Sequence, residues 1–206
     1  RFRAQRPAGH VPLDVVINLP GAHNVLNALA AIAVATEEGV SDAAILSGLK
    51  AFSGVGRRFD VADGIVVSGK RITVVDDYGH HPTEVAMVIE AARKVWPKRR
   101  LVMIYQPHRF TRTHDLYDDF TKVLSTVDRL VLLEVYSAGE EYIAGADSHA
   151  LSQGIRDRGV VNPIYAESPA EAYELLPNIV EDGDVLIVQG AGNVNQPDAT
   201  DGAAIA

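Results

Sequence analysis

The sequence contains no cysteine, a single tryptophan and only two methionines among its 206 residues. Without cysteine there are no disulfide bonds, no thiolate metal ligands and no cysteine nucleophile. No apolar run approaches the roughly 20 residues that a membrane-spanning helix needs, and no signal peptide opens the chain. The remaining composition, 47% apolar and 22% charged, is typical of a globular protein. It excludes a disordered, collagen-like or coiled-coil chain.

Basic residues are outnumbered by acidic ones, and the net charge of −8 argues against a general nucleic-acid binder. The basic residues that are present are clustered. Residues 93–112 hold seven Lys or Arg and no acid, whereas residues 113–206 hold four basic and seventeen acidic side chains. Such a patch suits a small anionic ligand. The run 98–100 is interpreted as a solvated loop between a helix and a strand. Arg109 and Arg112 are then the candidate residues for binding the anion.

The first part of the chain predicts two helices after a strand region. Residues 9–19 look like the tail of a strand system that has no partner upstream, as if the chain began in the middle of a structure. A helix follows, and Gly39 is its predicted stop. Ser41 is the predicted N-cap of a second helix that ends near Phe52. The glycine-bearing segment 53–59 is the candidate linker, and it places the boundary between two domains, 1–55 and 56–206.

Apolar, β-branched runs then alternate with helical patterns, which predicts an α/β fold with a mainly parallel sheet and helices on both faces. A hairpin at Ser68–Gly69 adds an antiparallel strand. The predicted strands are 64–67, 72–75, 101–105, 130–135, 160–165 and 185–189, and the predicted helices are Pro82–Trp96, 113–125, 147–157 and 169–176.

Ligands of such sheets bind beyond the carboxyl ends of the strands. In this sequence the strand 72–75 is followed by DDYGHHP and 101–105 by QPHRFTRT, and the strand 185–189 ends in the segment QGAGN, residues 189–193. Polar, charged and glycine-rich residues therefore concentrate at one edge of the sheet, which predicts a site there.

The first of these clusters, residues 76–82, allows three interpretations. An acidic residue at a strand end can accept both hydroxyls of a ribose, and Tyr78 can stack on a purine. Alternatively, the Asp and His side chains satisfy backbone donors at a helix entry. A metal-hydrolase ligand set is the third interpretation.

In the second cluster, Arg109 and Arg112 are close enough in sequence to converge on one carboxylate or phosphate. The competing interpretation is a set of solvated charges. The third cluster, Gly190–Asn193, lacks the full GxGxxG and Walker patterns, so it does not predict a phosphate-binding loop.

Together and in this order, the clusters resemble the Mur ligase family, the ATP-dependent amino-acid-adding enzymes of peptidoglycan synthesis. The resemblance extends from about residue 20 to 193. The sequence segments that carry the resemblance, called the family strings below, are GAHNVLNALAAIAVATEEG, GVGRRFD, DDYGHHPTEV, QPHRFTRTHDLYDDF, LEVYSAGE and VQGAGN.

The resemblance implies that residues 1–55 are the last stretch of a central ATP-binding domain and that residues 56–206 are a Rossmann-like C-terminal domain. The domain that binds the UDP-sugar and the P-loop are outside this sequence. The chain would therefore depend on those domains as partners, would not turn over alone, and would act in the bacterial cytoplasm without nucleic acid or membrane.

The family reaction converts a carboxylate to an acyl phosphate, which the amine of an amino acid attacks. The ligands implied are ATP as a substrate, Mg²⁺ held mainly by the absent central domain, UDP-N-acetylmuramate and L-alanine. The string QPHRFTRT favours the member that adds L-alanine over the member that recycles murein peptide. A nucleotide- or amino-acid-binding module without chemistry is an alternative from another class, and a histidine-based metal hydrolase is a third.

The resemblance also implies a nucleotide site in two parts. The first is the adenine pocket at the start of the first helix. The second comprises an arginine that reaches the phosphates after domain closure, an acid that binds ribose, and a tyrosine near the base. In chain order these residues are His23, Asn24, Asn27, Arg57, Arg58, Asp77 and Tyr78.

The amino-acid site implied by the resemblance is lined by His108, with Arg109 and Arg112 gripping the carboxylate of L-alanine. His80 and His81 match a family string and are assigned to substrate binding. After the GAGN string, the family continues into a basic amphipathic helix. Here the tail contains Pro197 and several Asp and Gly residues, which predicts that no helix forms.

Overall fold

The structure is a computed structural model that describes residues 1–54 and 56–195. The chain divides into two compact units, one spanning Arg1–Gly56 and the other beginning at Arg57. Across the described parts of the chain, no helix combines the length and the apolar character required to cross a membrane.

The first unit contains two strands and two helices. Strand β1, Phe2–Ala4, pairs antiparallel with β2, Leu13–Val15. The expectation that the strand region 9–19 has no upstream partner was therefore wrong, because three residues of β1 are enough to pair with it. Helix α1 spans Ala22–Glu37 and helix α2 spans Asp42–Ala51. Ile32 of α1 and Ile45 of α2 pack with both strands in the core of this unit.

Both predicted helix boundaries in this unit are confirmed. Gly39 has a φ of 71° immediately after the end of α1, a left-handed conformation that glycine adopts without a steric penalty. The hydroxyl of Ser41 accepts a hydrogen bond from the backbone N–H of Ala44 at the start of α2.

The second unit is built on a six-stranded sheet with the strand order β3-β4-β8-β5-β6-β7. The edge strand β3 is antiparallel to β4, and the other neighbours are parallel, which confirms the predicted fold class. The strands are β3 Asp60–Val67, β4 Lys70–Asp77, β5 Leu101–Tyr105, β6 Arg129–Leu133, β7 Ile164–Ala166 and β8 Val185–Gln189.

Helices cover both faces of this sheet. Met103 points to a core formed with α3, α5 and α6, whereas its neighbour Ile104 packs with α7 on the opposite face. Consecutive strand residues point to opposite faces, so the apolar runs are buried on both sides. The helices are α3 Pro82–Val95, α4 Phe110–Asp115, α5 Tyr117–Leu124, α6 Ser148–Asp157 and α7 Pro169–Ile179.

Three elements differ clearly from the sequence prediction. The strand expected over 64–67 is β3, which begins four residues earlier, at Asp60. The single helix expected over 113–125 is two helices, α4 and α5, because Leu116 leaves helical geometry at φ −115° and ψ 26°. The strand expected over 160–165 begins only at Ile164, after Pro163, which has no backbone N–H for pairing.

The predicted hairpin is confirmed at Ser68 and Gly69, whose φ angles of 48° and 81° are both positive. Such a two-residue connection matches the twist of the paired strands. The tail prediction for residues 196–206, including Pro197, lies outside the described residues.

At the end of the sheet where β5 and β8 begin, Arg100 forms a two-pronged ion pair with Asp184. Its Nε and Nη2 atoms lie 3.0 and 2.8 Å from the Asp184 carboxylate. Asp184 is 2% exposed, and Arg99 donates to its backbone carbonyl oxygen. The interpretation of residues 98–100 as merely solvated was therefore wrong for both arginines, since they fasten the starts of β5 and β8 together.

Arg100→Ala should lower the free energy of unfolding of the second unit by about 3 kcal/mol, because it leaves the buried Asp184 carboxylate without its partner. Native-state hydrogen exchange of the β5 and β8 amides measures this loss. Lys98→Ala, an exposed neighbour in the same basic run, is the control and should change it by less than about 0.5 kcal/mol. Equal losses in the two variants would contradict the assignment.

Candidate functional site

The candidate site lies where β4, β8 and β5 end side by side. Asp77, Gln189 and Tyr105 occupy matching positions on these three strands. The backbone N–H of Gln106 donates to the carbonyl of Gln189, so the loop after β5 starts in contact with the end of β8. The three polar clusters of the sequence therefore meet at one edge, as the parallel topology predicts.

Asp77 is buried at this edge and accepts three hydrogen bonds. Its carboxylate oxygens lie 2.9 Å from the backbone N of Phe59, 2.7 Å from that of Gly79 and 3.1 Å from the side-chain N of Gln189. Burial raises the pKa of Asp77, and the two backbone N–H groups partly offset that effect. Asp77 is the residue predicted to bind ribose, and its carboxylate already accepts three of the about four hydrogen bonds that it can accept.

His81 and Glu84 form a reciprocal cap at the start of α3. The His81 Nδ1 atom accepts from the backbone N–H of Thr83, while Glu84 accepts from the backbone N–H groups of His80 and His81 at 2.8 and 3.0 Å. Burial raises the pKa of Glu84, but these backbone donors bring the pKa below its usual value. His81 therefore acts in the helix entry here, apart from the side-chain cluster that contains His80.

Arg57 links two of the polar clusters. Its guanidinium donates to the carbonyl of Gly190 at 2.6 Å and lies 3.5 Å from Asp76. It also lies 5.2 Å from the centre of the Tyr78 ring, a cation–π arrangement. Burial raises the pKa of Asp76, and the nearby Arg57 opposes that shift. Arg58 also lies over Tyr78, at 5.8 Å, and its side chain is 50% exposed.

The segment that carries these arginines is held in an uncommon backbone conformation. Arg57 and Phe59 have φ angles of 59° and 53°, in the left-handed region that L residues seldom occupy. The Phe59 ring is stacked on Trp96 at a centroid distance of 6.2 Å. The backbone N–H of Tyr78 donates to the carbonyl of Arg57. The stacking of Phe59 and the hydrogen bond to the Arg57 carbonyl therefore hold the backbone on either side of Arg58 in place.

Four aromatic rings form a continuous row across the edge of the sheet. Tyr78 meets His80 edge-on at 5.6 Å, His80 lies 5.3 Å from His108, and His108 stacks on Tyr136 at 5.4 Å. The Nδ1 atom of His80 lies 3.2 Å from the carbonyl oxygen of Tyr78, so it carries a proton that it donates. Its Nε2 atom is the other polar position of the ring. The row joins the predicted nucleotide residues to the predicted amino-acid residues.

His108 and Arg112 form the second half of the site. An Arg112 Nη1 atom donates to the His108 carbonyl at 2.9 Å and lies 3.3 Å from His108 Nδ1. Burial lowers the pKa of His108, and the nearby His80, Arg112 and Arg109 lower it further. A neutral His108 that accepts at Nδ1 carries its proton on Nε2.

Arg109 lies at the start of α4 in a strained conformation, with φ 76°. Its backbone N–H donates to the carbonyl of Tyr136, and the N–H of Tyr136 donates to the carbonyl of Pro107. These two bonds tie the loop after β5 to the loop after β6. The guanidinium of Arg109 lies 3.3 Å from the carboxylate of Glu140. Arg109 therefore already has an acidic partner within the protein.

The glycine-rich loop after β8 packs closely on the loop after β5. A Cβ atom on Gly190 would lie 2.9 Å from the carbonyl oxygen of Gln106. Since real Cβ atoms do not approach this closely, position 190 requires glycine. The loop is part of the packing at this edge, and its carbonyls accept from Arg57.

The remaining predicted residues belong to the first unit. His23, Asn24 and Asn27 lie on α1, and the side chain of Asn24 donates to the carbonyl of Pro20 at 2.7 Å. Asn27 is exposed. In residues 1–54 and 56–195, no group of three or more His, Asp or Glu side chains is arranged to hold a metal ion.

Three residues of the site were not singled out by the sequence analysis. Glu84 had a local signal, because a Glu at the third position of a helix often caps it. Tyr136 and Glu140 lie in the string LEVYSAGE, but their contacts with His108 and Arg109 join positions about 30 residues apart. No local pattern reveals such pairs.

The family model that describes the Mur ligase, glutamate ligase domain matches residues 57–192. The chain therefore belongs to the Mur ligase family.

Individual relatives narrow the comparison. The chain is 56% identical over 194 residues to the UDP-N-acetylmuramate–L-alanine ligase of Methylococcus capsulatus. The matched region covers 94% of this chain and 41% of that protein. A solved UDP-N-acetylmuramate–alanine ligase of Thermotoga maritima matches with TM-score 0.68 and 30% identity over 90% of this chain and 37% of the other. A murein peptide ligase of Psychrobacter arcticus matches with TM-score 0.65 and 25% identity over 89% and 37%. The chain thus spans about two fifths of the length of its relatives.

Asp77→Ala should lower the free energy of unfolding by about 2–4 kcal/mol, because two buried backbone N–H groups and the Gln189 amide lose their acceptor. Urea denaturation followed by circular dichroism measures the change. Asp115→Ala removes a carboxylate that is 74% exposed and is paired with His114, and it should have an effect below about 0.5 kcal/mol. A similar small effect at Asp77 would contradict its role as the anchor of this edge.

The ring protons of His108 should titrate by NMR with a pKa below the usual value for histidine, so the ring is neutral at pH 7. Arg112→Ala should raise that pKa, because the variant removes a neighbouring positive charge and admits water to the ring. Arg129→Ala, a substitution of an exposed arginine at the start of β6, should leave the titration unchanged. An Arg112→Ala titration that matches wild type would show that the two side chains do not interact.

Proposed function

We propose that this chain supplies the amino-acid-binding and nucleotide-closing part of an ATP-dependent ligase that adds L-alanine to UDP-N-acetylmuramate. The observation that carries this proposal is the 56% identity, over 94% of the chain, to a ligase of that name. Among the solved structures, the identity is 30% with the UDP-N-acetylmuramate–alanine ligase and 25% with the murein peptide ligase, an order that favours L-alanine as the amine.

The amino-acid end of the proposed site is the group formed by His108, Arg109 and Arg112. Arg109 at the start of α4 and Arg112 within α4 provide the planar donor pairs that bind a carboxylate. His80 extends this group, with its ring 5.3 Å from that of His108. A small amino acid bound here would have its carboxylate toward the arginines and its amine toward the histidine pair.

The nucleotide end of the proposed site is the group around Tyr78. Arg58 is half exposed and can reach an ATP phosphate, whereas Arg57 must first leave Asp76 and the Gly190 carbonyl. Asp77 binds ribose in this proposal only if one of its three internal hydrogen bonds opens. His23, Asn24 and Asn27, in the first unit, are proposed to contact the adenine.

The proposed reaction passes through an acyl phosphate that the amine of L-alanine attacks, with release of phosphate. The role of this chain is to hold the amine and carboxylate in position, which converts an encounter between two molecules into a reaction within one complex. Mg²⁺ accompanies ATP in this proposal. The described residues do not fit a metal site, so its ligands and the P-loop are assigned to the central domain, whose last stretch is residues 1–55.

The proposal is tested with a chimera in which this chain replaces the matching part of the Methylococcus capsulatus ligase. With ATP and UDP-N-acetylmuramate present, the chimera should release phosphate when L-alanine is added, and the 206-residue chain alone should not. Arg112→Ala should raise the KM for L-alanine by about tenfold or more, because a charged hydrogen bond to the carboxylate is lost. Arg129→Ala is the matched control.

Other outcomes separate the alternatives. Phosphate release with murein tripeptide but not with L-alanine would assign the chain to the murein peptide ligases. A folded chimera, as judged by circular dichroism, that releases phosphate with neither amine would favour a binding module without chemistry. Steady release by the chain alone would overturn the assignment of the phosphoryl-transfer groups to other domains.

A further inference from the structure

The loop after β6 places an internal carboxylate on the arginine that is proposed to bind substrate. Glu140 Oε1 lies 3.3 Å from Arg109 Nη1 and accepts the hydroxyl of Thr111 at 2.8 Å. Its Oε2 accepts the backbone N–H of Thr111 at 3.0 Å. The Glu140 side chain is only 18% exposed. These three donors are of the kind that a free amino acid's carboxylate would use, and Glu140 already occupies them.

Two further features hold this arrangement in place. The backbone of Arg109 is kept at a φ of 76° by its hydrogen bond to Tyr136, which directs the side chain toward the loop that carries Glu140. The backbone N–H of Thr111 lowers the pKa of Glu140, and Arg109 acts in the same direction. Glu140 is therefore ionised at neutral pH, and the pair carries no net charge.

Arg112 is in a different electrostatic position. Its side chain contacts the carbonyl and ring of His108, and among residues 1–54 and 56–195 none of the ion pairs includes it. The lowered pKa of His108 leaves that ring uncharged at neutral pH. With Arg109 balanced by Glu140, this end of the site offers one uncompensated positive charge.

We infer that Glu140 is a specificity-determining residue, which pairs with Arg109 so that Arg112 alone receives the substrate carboxylate and a second carboxylate is repelled. The inference rests on the proposed function and divides the roles of the two arginines within it. A neutral amino acid such as L-alanine brings one carboxylate and matches one free guanidinium. An acidic amino acid brings a second carboxylate, which would meet Glu140 at short range, and like charges at such distances disfavour binding.

The test compares Glu140→Gln with Glu141→Gln, its exposed neighbour, in the chimera described above. Glutamine preserves the size of the side chain and removes its charge, which frees Arg109. The ratio of kcat/KM for L-aspartate to that for L-alanine should rise by about threefold to fivefold in Glu140→Gln, the range expected from a partly exposed charge pair. The ratio should be unchanged in Glu141→Gln, and Glu140→Asp should restore the wild-type preference.

A purely structural role for Glu140 would lower kcat/KM for both amino acids by the same factor and leave the ratio unchanged, which would overturn the inference. A wild-type chimera without L-alanine-dependent phosphate release would instead contradict the proposed function itself. The two failures are therefore distinguishable.

A direct measurement covers the case in which the Glu140→Gln chimera does not fold. In the 206-residue chain, L-aspartate should shift the NMR signal of the Arg109 Nε–H group in Glu140→Gln and leave it in place in wild type and Glu141→Gln. The same result in all three proteins, whether a shift or none, would show that Glu140 does not control access to Arg109.

Discussion

The carboxylate of Asp77 is the point to which the other parts of the candidate site are fastened. Through Phe59 it holds the arginine segment, through Gly79 the loop that enters α3, and through Gln189 the end of β8. Gly79 follows Asp77 by two residues, whereas Phe59 arrives because β3 begins beside the end of its antiparallel partner β4. Gln189 arrives because the parallel strands β4 and β8 end side by side. Burial works against the charged form of Asp77, and its three donors compensate for part of that effect. The arrangement of arginines and aromatic rings depends on that compensation.

The fold could be predicted where one physical signal dominated. The strands 101–105 and 185–189 are predicted with the observed bounds, because a strand buried on both faces is almost wholly apolar and stands out from its polar flanks. The stripe of apolar residues from Pro82 to Trp96 likewise predicts helix α3, which spans Pro82–Val95. The position of the site followed from topology, since polar clusters after parallel strands must share an edge. The family strings then supplied candidate roles for individual side chains.

The details of the site depend on contacts that no local pattern encodes. Arg99 and Arg100 resembled a solvated run because their partner Asp184 lies about 85 residues away. The left-handed backbone at Arg57, Phe59 and Arg109 is imposed by tertiary hydrogen bonds against the preference of these residues. Of two adjacent histidines, His80 joins the aromatic row and His81 caps a helix, and only the path of the chain into α3 separates them.

The stacking of Phe59 on Trp96 has a consequence for observing this protein. Trp96 is the sole tryptophan in the sequence, and its partner ring follows directly after Arg57 and Arg58. The Phe59 ring lies parallel to the indole within 9°, so the emission of Trp96 depends on the packing of the residue that follows the arginine pair. A change in that packing would alter the signal of the single tryptophan, which gives the protein an optical reporter at the arginine segment.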